Sequence, residues 1–552
     1  MKFLAVSPSI SKVVDPSLKE LLLKSPIKDR NESVVYRLDQ IRNNMRTASI
    51  NGNNWYFNKL LKEEEELKRV MFRPISWEES GEVYIRTGYI PYLDESIKLL
   101  KDKEEGIEYG YSLPKPRPYP YANPLQFKPY EYQTKAVELL LQHRHATVES
   151  ATGTGKTLII IMLAQKLGLK TIVITPFVSI FEQMLKEFEY YFGKSAVGTY
   201  GGGKKKNPDA NFIVAVSDSI ANVDKDHPDY EYFKRFEVAI FDEAHTLSAE
   251  TLEAMAFVPL EHVPYRYFLT GTHTRPDGLN RLLEAITGPV IMRYKTKDAV
   301  ADGYICPFKV KIVDVESSFE GYVNTKDAMA IKRAHFLYND NIAKLIAETV
   351  YHNIIKDDKK RSALVLVNET RQIYLLYHAL NSIMSGTGKS VFDVVAVATA
   401  TTNKESVVRA MMPDEARKRL SRKKGSALIS VVKNSNLLSE EEWKFVDFVE
   451  KSDIESAVED FNLGKKRVLI GTTAISTGVN IFPTHFTFNW QGGSSEIACK
   501  QGAIGRSVRR LELSKYKDYH DPKPFSLIID FNVLNQPVLY SMLKKRLQYY
   551  EE

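Results

Sequence analysis

Cysteine is almost missing from this chain. Its 552 residues hold two, Cys306 and Cys499. Neither belongs to a CxxC pair, which excludes a disulfide framework and a cysteine zinc site. So little cysteine fits a reducing, intracellular setting, with the cytoplasm as the expected compartment. Long apolar runs are missing too. The longest near the middle is Leu158 to Ala164, far short of a bilayer span. The opening MKFLAVSPSISK is too poor in apolar residues for the core of a signal peptide. No membrane association is expected. Strong charge of either sign is also absent: 76 Lys and Arg stand against 69 Asp and Glu, a net +7. That balance permits a nucleic-acid partner without demanding one. No internal repeat is visible.

What is present divides the chain into parts. A chain this long exceeds one core, so two to four domains are expected. The N-terminal part mixes a helical KLLKEEEELKRVM, supported by Glu-to-Lys pairs at four-residue spacing, with GEVYIRTGYIPYL, which reads as strands around a turn. Then LPKPRPYPYANPLQFKPYEYQ, dense in Pro and Tyr, reads as a stiff extended connector. This places an accessory domain over 1–120.

Beyond it, strand and helix patterns alternate. KTIVITP, NFIVAVSDS, FEVAIFDEAH and YRYFLTGT are β-rich runs ending in small or polar residues. Such alternation predicts a parallel α/β sheet, with ligands at the carboxyl ends of its strands. This first α/β domain covers 121–305. A second, over 306–552, has ALVLVN, VFDVVAVATA, KRVLIGTTA, HFTFNW and FSLIIDFN as strands. Its alternation lapses at about 402–453, an insertion that is basic first and acidic after.

SATGTGKT is a phosphate-binding loop. Gly153 and Gly155 let backbone N–H groups of Thr152 to Gly155 turn toward phosphate oxygens, Lys156 reaches the terminal phosphates, and the Thr157 hydroxyl can hold Mg²⁺. The helix that follows presents its positive end to the same anion. Ser150 stands where the strict pattern has Gly. In VAIFDEAH an apolar strand delivers Asp242 and Glu243 to its end. Phosphoryl transfer to water needs a carboxylate to hold the metal and a group to take the proton; Asp242 suits the first role and Glu243 the second. A chance turn and an N-capping acidic pair are the competing structural readings. Near the C-terminus, KQGAIGRSVRR sets Arg506 and Arg509 three apart, where a helix would give them one face.

The ordered set ATGTGKT, DEAH, LTGT and GRSVR resembles the superfamily 2 helicases and translocases over roughly residues 120 to 550. The resemblance implies two tandem RecA-like parallel-sheet domains with ATP and Mg²⁺ bound in the cleft between them, a small α+β N-terminal domain and an insertion in the second RecA-like domain. It makes Arg506 and Arg509 the arginine fingers of motif VI. The family's Gln three residues before the Gly falls here on Gly502, with Gln501 one earlier, an offset that a helix bulge would absorb. Gln133 resembles the adenine-reading glutamine, with Tyr130 beside it placed to stack on the base. His245, Thr270 and Thr272 match coupling positions. In GTTAISTGVNI, Gly478 and Asn480 would lie near the nucleotide, and Thr472 and Thr473 near the strand. Thr175, Pro176, Gly202, Lys204, Ser217, Ser219 and Asn368 would form a track that positions a nucleic-acid backbone without reading bases.

After LTGT, the string HTRPDG, a GP strand and GYICP resemble the branch that holds the UvsW-type branch-migration helicases, the XPB repair helicases and the restriction-enzyme motor subunits. The expected activity is therefore ATP-dependent remodelling of branched, forked or duplex DNA by a monomer, with single-stranded DNA-binding or recombination proteins as possible partners. An RNA helicase on the same motor, a restriction-system translocase and a non-catalytic ATP-gated clamp are the alternatives.

Overall fold

The computed structural model describes the chain outside residues 1–2, 8, 25, 51–53, 94–106, 110–112, 127, 203, 245–246, 272–279, 325–326, 357–358, 401–402, 473–480, 496–497, 512–515, 517 and 552. It forms two compact units: Met1–Ala151 with Gly155–Tyr294, and Thr152–Thr154 with Lys295–Glu552. Among the described residues no helix is long and apolar enough to cross a membrane.

The first unit is built on an eight-stranded sheet. Its order is Lys204–Lys206, Val197–Gly201, Phe212–Val216, Thr171–Thr175, Val238–Asp242, Tyr265–Thr270, His145–Ser150 and Val290–Tyr294. Every pairing is parallel except the edge hairpin of the first two strands. The strands Thr171–Thr175, Phe212–Val216 and Val238–Asp242 are buried along their whole length. Helices cover both faces of a parallel sheet, and this explains why these strands read as unbroken apolar runs.

The N-terminal part adds a five-stranded, mostly antiparallel sheet in the order Ser76–Glu79, Glu82–Arg86, Ile10–Val13, Phe3–Ala5 and Ile107–Tyr109. A helical pair, Glu32–Ile50 and Asn54–Val70, stands beside it, bridged by Arg37–Glu63 and Arg42–Glu64. Of GEVYIRTGYIPYL, only Glu82–Arg86 is a strand; Thr87–Tyr92 is a short 3₁₀ helix. The cause is close packing. A Cβ on Gly88 would stand 2.5 Å from the Ala285 carbonyl oxygen, so glycine alone allows this approach. Tyr89, Ile90 and Ala285 then share one small core.

This N-terminal sheet is fastened to the larger one. The Arg86 guanidinium lies 3.7 Å from the Phe257 ring centroid and 3.1 Å from Glu253, and Ser9 Oγ donates to the Ala256 carbonyl. All three partners lie on the helix Ala249–Phe257. The Pro- and Tyr-rich connector runs extended along the first unit, with the Arg117, Tyr119 and Ala122 N–H groups bonded to the carbonyls of Leu167, Gln165 and Tyr191.

The second unit has six parallel strands in the order Phe308–Val315, Ser526–Val533, Phe486–Asn489, Ala363–Leu366, Val468–Gly471 and Val395–Ala398. The insertion is helical: Lys404–Met411, Asp414–Arg419, Gly425–Asn434 and Glu440–Glu450. Val408, Leu428, Val432, Phe445 and Val449 from these helices are buried in the same core as Val365, Val397 and Ile470 of the sheet. The C-terminal helix Pro537–Glu551 is locked to the sheet by Arg546, which bonds both oxygens of buried Asp530 at 2.7 and 2.9 Å. Tyr550 donates a third bond to Asp530.

Candidate active site

The strand His145–Ser150 turns through 151–155 into the helix Lys156–Leu167. Gly153 and Gly155 both have φ of 85°, a region that side chains with a Cβ rarely enter. At Gly155 a second constraint applies, because a Cβ there would lie 2.7 Å from Gln133 Nε2. Gln133 is buried; its Oε1 accepts from the Tyr130 N–H at 2.9 Å and its Nε2 donates to the Gly155 carbonyl at 3.3 Å. It thus braces the end of the loop. Tyr130 itself is 39 % exposed.

Lys156 is buried and donates to the Ser150 carbonyl at 3.1 Å. Its ammonium also lies 3.1 Å from Glu243 Oε1. Asp242 ends its strand in a buried position, and the backbone turns left-handed at the next residue: Glu243 has φ of 48° and its N–H donates to Asp242 Oδ1. Desolvation, reinforced by the Glu243 charge and opposed by Lys156, raises the Asp242 carboxyl to about 7. A buried carboxylate so short of positive charge fits a divalent cation as its natural partner. Thr270 ends the neighbouring strand, in register with Glu149. The structure therefore brings Gln133, Lys156, Asp242, Glu243 and Thr270 to the carboxyl ends of interior strands of the first sheet.

The expected track residues of the first unit also gather at strand ends, in a less open form. The Thr175 hydroxyl is buried and donates to the Ala215 carbonyl, and buried Ser217 donates to that of Pro176. Gly202 is exposed and Ser219 partly so. The stretch YGGGKKK is not a free loop. Lys204–Lys206 pairs with Val197–Gly201, and Lys205 is bound to Asp229 at 2.6 Å. In the second unit Asn368 and Thr472 follow the paired residues Leu366 and Gly471. Asn368 Nδ2 donates to the Gln491 carbonyl, and Thr472 is buried. His245, Thr272, Thr473, Gly478 and Asn480 lie outside the described residues, as do the side chains of Lys204 and Gln501.

The segment around the arginines departs from a plain helix. Ala498–Ile504 is a π-helix, followed by the short α-helix Gly505–Ser507. A π-bulge accommodates one extra residue, the same one-residue offset that separates Gln501 from the family position. The helix ends before Arg509, so Arg506 and Arg509 do not share one helical face. Arg506 is buried and Arg509 partly exposed. Sequence reasoning missed Lys523. Its ammonium reaches the carbonyls of Ser507 and Arg509; a lysine between two prolines carries no motif that would reveal this.

Comparison with known proteins gives the same direction. Residues 126–275 match the family described as type III restriction enzyme, res subunit. The chain is 24% identical over 355 residues to the DNA 3'-5' translocase XPB2 of Sulfurisphaera tokodaii, covering 64% of this chain and 72% of that one. It is 21% identical over 322 residues to the ATP-dependent DNA helicase uvsW of Enterobacteria phage T4, covering 56% and 58%. The crystal structure of T4 UvsW aligns with a TM-score of 0.36 at 14% identity, over 100% of this chain and 97% of that one. Its ordered motifs resemble those of the superfamily 2 helicases, and over part of its length the chain is similar in sequence to XPB2 and uvsW.

Proposed function

We propose that the protein is an ATP-driven DNA helicase or translocase that remodels branched or duplex DNA, through branch migration, fork regression or D-loop dissociation. The observation that carries the motor is the meeting of Lys156, Asp242 and Glu243 at the carboxyl ends of two strands of one parallel sheet, separated by a single strand. The choice of DNA is supported by the relatives, whose names describe a DNA translocase and a DNA helicase.

Lys156 and the loop amides would bind the terminal phosphates of ATP. Thr157 and Asp242 would hold Mg²⁺, which neutralises phosphate charge when bound. Glu243, whose Oε1 lies 3.1 Å from the Lys156 ammonium, would take the proton of the attacking water. Gln133 would fix the loop from behind through Gly155. Arg506 and Arg509 are assigned to stabilise charge on the transferring phosphoryl group, a role worth about 10³ to 10⁵ in rate.

The test is ATP-dependent conversion of a synthetic four-way junction, run beside an overhang duplex and an RNA duplex. Efficient junction conversion with weak action on the overhang supports branch remodelling. Good RNA unwinding without junction activity would leave the motor and overturn the DNA-remodelling reading.

A further inference from the structure

Four consecutive backbone carbonyls of the arginine segment are held by partners distant in sequence. Thr484 Oγ1 donates to the Arg506 carbonyl at 2.8 Å. The Cys306 N–H donates to that of Val508 at 2.6 Å. Lys523 Nζ takes the other two, Ser507 at 2.8 Å and Arg509 at 2.6 Å. The same ammonium also reaches the Phe482 carbonyl at 3.0 Å and Thr484 Oγ1 at 3.3 Å. Lys523 is the one charged donor in this set. It stands at the end of a helix, where orphaned carbonyls favour a cation.

We propose that Lys523 is a positioning residue for ATP turnover, whose ammonium fixes the backbone that carries Arg506 and Arg509. The proposal rests on the assignment of those arginines to the phosphoryl chemistry. A purely packing role would be served as well by an apolar chain of the same length, since enclosing an ammonium is costly. The geometry instead spends the charge on four oxygens. Two belong to the arginine segment and two to the stretch just before the strand Phe486–Asn489. One group therefore sets the register between them.

The residue keeps part of its surface in solvent, yet the ammonium is ringed by oxygens. Desolvation, with the Arg509 charge adding to it and Cys306 opposing, lowers its pKa to about 8. Arg510 is a further charged group, acting on Cys306.

The experiment uses the full chain with a synthetic DNA duplex as activator. Lys523→Met, Lys523→Arg and Arg506→Ala are compared with wild type for kcat, KM for ATP, nucleotide binding and thermal unfolding. Lys523→Met is expected to lower kcat about tenfold or more while KM changes about twofold or less, with Lys523→Arg recovering much of the loss. Wild-type kcat should fall as pH rises past about 8, and Lys523→Arg should lack that limb because its charge persists. Wild-type turnover in Lys523→Met overturns the proposal. If that variant does not fold, a wild-type profile flat from about pH 7 to about pH 9, or an unchanged limb in Lys523→Arg, overturns it instead. Should Arg506→Ala turn over normally, the arginine assignment fails first and the proposal falls with it. Loss in Arg506→Ala without loss in Lys523→Met sinks the proposal alone.

Discussion

Glu243 Oε1 lies 3.1 Å from Lys156 Nζ, and the Glu243 backbone is left-handed at φ of 48°. Two residues expected to serve different ends of one reaction thus meet directly. Glu243→Gln removes the proton acceptor and keeps the size. ATP binding should persist while turnover falls by about 10² to 10⁴. Filter binding beside steady-state hydrolysis measures both, and unchanged turnover would restore the reading of a non-catalytic clamp.

Asp242 gives a stability prediction with a definite sign. Its carboxyl is raised from 3.8 to about 7, so between those values the folded chain binds more protons than the unfolded one. Stability from this group is present at low pH and lost as pH climbs through about 7. Asp242→Asn should therefore raise the melting temperature at pH above that value, by about 2 °C or more, while abolishing hydrolysis. Melting curves across pH decide it; a lower melting temperature in Asp242→Asn would contradict the cause given for the shift.

Mg²⁺ and nucleotide should act on the same carboxylate. With both present the wild type should melt higher, and the pH dependence just described should flatten, because the cation supplies the charge that burial withholds. Chelation with EDTA should restore it. Asp242→Asn should show a much smaller gain from Mg²⁺.

Asp530 and Arg546 form a fully enclosed pair, 0% and 3% exposed at their side chains. Removing one partner strands the other's charge. Asp530→Ala should cost about 3 to 5 kcal/mol, read from urea unfolding, and should release the C-terminal helix to proteolysis.

Phe445 ties the insertion to the second unit. It packs 4.6 Å from the Tyr377 ring centroid and is 1% exposed. Phe445→Ala should cost about 3 to 5 kcal/mol. Deleting 402–453 should leave the second unit unfolded by circular dichroism; a well-folded deletion product would show the insertion to be a detachable accessory instead.

The parallel strands and the loop glycines were legible because each rests on local chemistry. An apolar run ending in Asp-Glu, or a Gly-rich turn before Lys-Thr, announces itself in consecutive residues. At the offset Gln501 a π-helix, Ala498–Ile504, stands where a bulge would absorb the extra residue, while the Gln501 side chain lies outside the described residues. Three features were not legible. Lys523 acts on carbonyls, which every residue has, so no residue-type pattern points to it. Thr87–Tyr92 became 3₁₀ through contact with Ala285, about two hundred residues away in sequence. The lysines of YGGGKKK became an edge strand because Val197–Gly201 offered an open ladder, a fact of topology that their charge conceals.

Arg86 and Ser9 have one more consequence. They grip the helix Ala249–Phe257, which lies shortly after Asp242 and Glu243 in the chain. A machine loses travel at every slack joint, and these contacts take the slack out between the N-terminal sheet and the eight-stranded one. Whatever the N-terminal sheet carries therefore rides on the same chassis as the carboxylates. Loosening that bolt, as Arg86→Ala would, should cost distance moved per ATP before it costs ATP consumed.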